Sequence, residues 1–220
     1  IAAIRFVGLY AHAGHSYGVA RGEGAKLDSI ASSEAALITS FADRLKSRGV
    51  TCTYISIGST PTCLAPILSN SGITDIHPGN NLFLDKQQSL TGTCDVVQDC
   101  AGRVVSTVVS AYPDRDRLVI DAGAMALSKD TCTEGGFGEI VGHPNLKIVS
   151  ASQECSIVEC DPSITDAALR QSTLSALGVG SVIQIVPNHA CLAAACYQRY
   201  AVVDRDDIVV QWWHRCPSGW

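Results

Sequence analysis

The sequence predicts two successive architectures: parallel βα units over residues 1–90, then an antiparallel all-β segment over 91–220. Three observations carry this. Apolar strand-like runs and helical patterns alternate up to about Leu90. A helix-period stretch ends at a glycine, and a strand-to-helix junction carries Gly58-Ser59-Thr60 followed by Pro61. Beyond Leu90 the chain changes to β-branched and apolar runs separated by turns.

In chain order, Ile4–His12 reads as a buried strand closed by a glycine-rich loop through Gly24. Ile30, Leu37, Ile38, Phe41 and Leu45 recur at helical spacing, which predicts a helix over Asp28–Arg48 with Gly49 as its C-terminal cap. Thr51–Ile57 predicts a second strand. A short helix is expected from Pro61 to about Gly72, then a third strand leading into His77-Pro78-Gly79-Asn80. Strands are further expected over Val104–Ala111, Arg117–Asp121, Lys147–Ser152, Ser181–Val186 and Ala193–Val203. A hairpin turn at Asp204–Asp207 leads into Ile208–Trp213, and in this half only Thr165–Leu177 reads as a helix.

Net charge is −5 with no basic run, which argues against a nucleic-acid partner. No apolar stretch is long enough to span a bilayer, and a secretory pattern is missing from the N-terminus. The ten cysteines form no Cys-x-x-Cys and no dense scaffold. A reducing, cytoplasmic setting is expected, with Cys52, Cys63, Cys94, Cys100, Cys132 and Cys160 mostly small buried hydrophobes. Ile1 opens directly in an apolar run, so the chain is expected to begin in mid-domain.

Val182–Cys196 is the most informative stretch. A strand runs into Pro187-Asn188, and His189 and Cys191 follow with one residue between them. In extended chain they would share a face and suit a borderline-soft cation such as zinc. Read alone, the spacing is weak, and two buried core residues are the leading reading.

Taken with Tyr10-Ala-His-Ala-Gly-His-Ser-Tyr17, Ser56–Thr62, His77–Asp85 and Ile120–Asp130, the string Pro187-Asn188-His189-Ala190-Cys191 resembles the eukaryotic-type D-serine dehydratases. These are relatives of D-threonine aldolase in the alanine-racemase-like class of pyridoxal-phosphate (PLP) enzymes. The resemblance runs along nearly the whole chain. It implies the last βα units of a (β/α)8 PLP-binding barrel followed by a C-terminal β domain, with the first half of the barrel absent.

The resemblance assigns Gly58, Thr60, Gly79 and Asn80 to the PLP phosphate, Tyr17 to the cofactor's side, and His189 and Cys191 to a catalytic zinc. His12 and His15 lie at the same strand end as Tyr17, Cys196 is expected to face the core, and Asn188 to orient the loop. Two positions depart from the family pattern: Asn81 stands where many relatives carry tyrosine, and Cys155 where they carry histidine. The family also needs a Schiff-base lysine on the first barrel strand, and none of Lys26, Lys46, Lys86, Lys129 and Lys147 lies at such a strand. The implied whole enzyme converts D-serine to pyruvate and ammonia. It would act as a homodimer or with a complementary N-terminal barrel fragment. A D-threonine-aldolase-like enzyme, or a zinc-binding interaction module without catalysis, are the alternatives.

Overall fold

A computed structural model describes residues 4–65 and 72–216. The chain divides into two compact units, Ile1–Asp99 and Cys100–Trp220.

The first unit is built on a three-stranded parallel sheet: β1 (Gly8–Tyr10), β2 (Tyr54–Ile57) and β3 (Asp75–Ile76), with Tyr10 paired to Ser56 and Ser56 to Asp75. Helix α1 (Gly24–Lys46) makes the crossover between β1 and β2. It starts four residues before the expected position. Its buried stripe is Leu27, Ala31, Ala35, Ile38 and Ala42, whereas Leu37 and Phe41, two of the positions whose spacing predicts the helix, are 73% and 46% exposed. Alanine's small side chain lets the helix approach the sheet, where Ala35, Ile38 and Ala42 pack on Ile55 and Ile57. Gly49 adopts φ 80° after the helix, and Val50 N–H reaches back to the Leu45 carbonyl.

The predicted first strand is shorter than expected and not buried: Ile4 is 98% and Tyr10 67% exposed. After Pro61 there is a 3₁₀ turn, Thr62–Leu64, and the remainder of the helix expected there falls largely on residues 66–71, outside the described residues. A short helix, α2 (Lys86–Leu90), follows β3.

The second unit is a closed antiparallel barrel. Its strands are β4 (Val104–Tyr112), β5 (Arg117–Ile120), β6 (Glu139–Ile140), β7 (Leu146–Ala151), β8 (Ser156–Cys160) and β9 (Val182–Val186), in the order β4-β5-β8-β7-β6-β9. Pairing of β4 with β9 closes it and leaves no free sheet edge. Along β4, Val104, Ser106 and Val108 face in while Val105 and Val109 are 67% and 45% exposed, the period of two that a barrel wall requires. Val108, Ile120, Ile148, Val158 and Ile185 fill the interior.

Helix α3 (Ala124–Leu127) follows β5, and α4 (Ala167–Ser175) lies within the predicted Thr165–Leu177. The strand expected over Ala193–Val203 is half wrong. Ala190–Ala195 forms helix α5, because a run of alanines has high helix propensity and little strand propensity. Strand β10 begins at Arg199 and pairs with β11 (Val209–His214) across a turn in which Asp207 has φ 59°.

Across the barrel wall, Lys147 on β7 holds Asp161 at 2.7 Å. The Lys147 ammonium, then the hydroxyl and amide of Ser163, hold the Asp161 carboxyl well below the usual carboxylate range. A carboxyl depressed on folding contributes stability above its unfolded value of about 4 and loses it as pH falls through the folded value. Acid unfolding followed by circular dichroism is therefore expected to show this contribution, and Lys147→Met to shift the acid midpoint upward.

Candidate functional site

In the first unit the candidate site forms where three loops meet after the parallel strands. Strand β2 runs into Gly58, whose φ of 140° and position, with an added Cβ only 2.6 Å from Cys63 Sγ, require glycine. Ser59 then anchors the loop. Its hydroxyl bonds Ser16 Oγ at 2.7 Å and Thr62 Oγ1 at 2.9 Å, all three side chains being buried. This ties the 3₁₀ turn Gly14–Gly18, which carries Tyr17, to the β2 loop.

Thr60 Oγ1 accepts the Asn80 N–H at 3.1 Å and so joins the β3 loop. Asn80 donates to Asp85 through its side-chain amide, and Asp85 caps α2 by accepting the Gln88 N–H at 3.0 Å. The Tyr17 phenol oxygen takes hydrogen bonds from Gln88 and from the side chain and backbone of Thr60. Burial pushes its pKa up, and those donors offset the rise only in part, so the phenol is neutral near pH 7.

Tyr17, Thr60 and Asn80 are thus brought together, with Gly58 and Gly79 in the same two loops. A Cβ placed on Gly79 meets nothing within 4 Å, so the space beside it is open. Asn80 Oδ1 is buried without a hydrogen-bond partner. Loops at this end of parallel strands, with open space at Gly79, are where barrel proteins often hold a cofactor phosphate, although Asn80 Oδ1, an acceptor, would not itself hold a phosphate oxygen. The carbonyl end needs an amine, and no lysine stands on β1, β2 or β3. Thr60→Val removes the acceptor of a buried N–H; it is expected to cost about 1–3 kcal/mol in denaturant unfolding.

His12 and His77 lie nearby, His77 stacking on Tyr10 at 4.1 Å between centroids. His77 Nδ1 bonds Ser56 Oγ at 2.7 Å, and Ser56 donates to Asp75 at 2.8 Å. Burial, followed by the neighbouring His12, lowers the His77 pKa.

In the second unit, β9 delivers Pro187-Asn188 to the start of α5. His189 is the N-cap residue and Cys191 the second helical residue, so the two are not on one extended strand as expected. The correction follows from α5 beginning one residue after the histidine. Asn188 is 1% exposed and donates to the carbonyls of Asp130 (3.0 Å) and Gly136 (2.8 Å), which fixes the loop as expected. His189 Nδ1 bonds Asp130 Oδ2 at 2.7 Å. Both side chains are about one-third exposed, so the imidazole is anchored yet reachable from solvent.

An imidazole backed by a carboxylate, beside a cysteine, is a donor set that fits a borderline-soft metal. Among the described residues no group of three or more metal-type side chains gathers. Cys196 is exposed at the C-terminal cap of α5 and does not face the core. Of the six cysteines expected in the interior, Cys100 and Cys160 are buried and the other four intermediate.

Comparison with known proteins now bears on these sites. A family model described as "Putative serine dehydratase domain" matches residues 101–203. The D-serine dehydratase of Dictyostelium discoideum is 37% identical over 219 residues, covering 94% of this chain and 53% of that protein. The chain is similar to D-serine dehydratases along nearly its whole length. It spans about half the length of the D-serine dehydratases it matches.

The D-threo-3-hydroxyaspartate dehydratase from Delftia sp. HT23 matches as a solved structure with TM-score 0.84 and 30% identity, over 99% of this chain and 57% of that one. Two variants of that enzyme have also been solved, a histidine-to-alanine and a cysteine-to-alanine replacement two positions apart, the cysteine variant in a metal-free form. A D-threonine aldolase from Filomicrobium marinum shares the fold at TM-score 0.74 with 21% identity. Among the described residues no helix is long and apolar enough to cross a membrane.

Sequence reading passed over Asp130, Asp85 and Gln88. Asp85-x-x-Gln88 carries a capping-box signature that could have marked α2. Asp130 is 59 residues from His189, and nothing in the local sequence joins them.

Proposed function

We propose that the chain supplies the phosphate-binding and zinc-binding sides of a D-serine dehydratase, which converts D-serine to pyruvate and ammonia. In this reading the parallel sheet and α1 are the last units of a (β/α)8 barrel. A complementary N-terminal, lysine-bearing barrel segment completes the barrel, and the enzyme acts as a homodimer or with that fragment. The observation that carries it is the Asp130-backed His189 beside Cys191, in the His-x-Cys spacing that the two Delftia variants also alter.

Thr60 and the loop carrying Gly79 and Asn80 would hold the phosphate, with Gly58 setting the path of the preceding turn. When bound, PLP supplies an electron sink for charge at the substrate's α-carbon. His189 and Cys191 would hold zinc, which supplies Lewis acidity toward the departing hydroxyl. Tyr17, kept protonated by burial, offers its hydroxyl to an acceptor oxygen of the bound ligands. Thr60 and Gln88 fix that phenol in place.

The complete enzyme, offered D-serine and D-threonine separately, tests the reading. Pyruvate and ammonia from D-serine are expected. Release of glycine and acetaldehyde from D-threonine, without pyruvate from D-serine, would replace it with an aldolase.

A further inference from the structure

We infer that Asp130 is a positioning residue of the metal site, holding the His189 ring in the tautomer and orientation that a metal ion requires. The inference rests on the proposal that His189 and Cys191 bind zinc.

The carboxylate is itself held from several sides. Asp130 Oδ2 faces His189 Nδ1 at 2.7 Å, and Oδ1 accepts the Thr131 N–H at 3.1 Å. The backbone beneath is fixed as well: Asp130 N–H donates to Ser128 Oγ at 3.2 Å, and the Asp130 carbonyl accepts from Asn188 Nδ2 at 3.0 Å. Asn188 is the residue before His189, so one buried amide ties the histidine's own loop to the loop that carries its carboxylate. Ser128, at φ 66°, makes the turn out of α3 that brings Asp130 there.

An imidazole ligates a metal through a lone pair, and a neutral ring has one such nitrogen. With Nδ1–H donated to Asp130, the lone pair lies on Nε2 and the ring cannot rotate without breaking a charge-assisted bond. A carboxylate behind a ligating histidine also raises its basicity as a ligand. The competing account is an ion pair about one-third exposed, which would contribute little to stability and nothing to metal affinity. The two accounts differ in what removal of the carboxylate does.

The test is zinc affinity, measured by competition with a chromophoric chelator, for the wild-type chain, Asp130→Ala, Asp130→Asn and His189→Ala. Thermal unfolding of each variant without metal serves as the folding control. Asp130→Ala is expected to weaken zinc binding roughly 10–100-fold with little change in the unfolding midpoint. Asp130→Asn, whose amide oxygen still accepts the Nδ1–H, is expected to fall between. Asp130→Ala binding zinc as tightly as wild type, while His189→Ala does not, would overturn the positioning role and leave the metal reading standing. Wild type failing to bind zinc, or His189→Ala binding as wild type does, would overturn both.

Discussion

Alanine in place of His189 is expected to weaken zinc binding by roughly 100-fold or more, because a site with two protein ligands would keep only one. Chelator competition reads this directly. The same change should barely affect folding. His189 is the N-cap of α5, but its side chain makes no capping hydrogen bond, so the helix start loses nothing there. Its partner Asp130 is about one-third exposed and can be hydrated once alone. Metal affinity and thermal midpoint are therefore expected to separate, the first falling steeply and the second moving little. Cys191→Ala should behave alike. A parallel loss of both quantities would mean that the histidine holds the fold and not a metal.

Gly138→Ala is expected to do the opposite. Gly138 has φ 135°, and an added Cβ would sit 2.8 Å from both the Val186 carbonyl oxygen and Ile185 Cγ2. Ile185 is fully buried in the barrel, so neither atom can retreat without shifting β9. The strained φ costs about 1–3 kcal/mol, and overpacking adds about 1–3 kcal/mol. Denaturant unfolding should thus show a loss of about 2–6 kcal/mol, the sum of those two contributions. The displaced segment leads straight into Pro187-Asn188-His189, so zinc affinity should fall as well. Gly142→Ala is the control: its φ is 78°, but an added Cβ meets nothing within 4 Å, and only about 1 kcal/mol of backbone strain is expected.

The parallel βα start and the antiparallel second half were legible because their signals are local. Apolar runs of the right length, Gly49 after a helical period and the Asp204–Asp207 turn each act within a few residues. Some short elements were not legible, although β2, β5, β7, β9 and β11, each of four to six residues, were. Strand β6 has two residues, and α5 was hidden because Ala193–Tyr197 is a short apolar run leading into the strand at Arg199, which leaves helix and strand undistinguished by periodicity. The core face of α1 was not legible for a related reason. Its helical spacing was read from large side chains, Leu37 and Phe41 among them, and not from the alanine stripe that meets the sheet. At the sites, residue types within a motif could be read from the chain, whereas their supports could not. Asp130 behind His189, and Ser59 between Ser16 and Thr62, are joined only by the fold.

Zinc dependence of pyruvate release from D-serine by the complete enzyme tests the account most directly. Removing metal with a chelator should abolish turnover and added zinc should restore it, while enzyme carrying His189→Ala should stay inactive at the same zinc concentration. Pyruvate release that survives both chelation and His189→Ala would contradict the account.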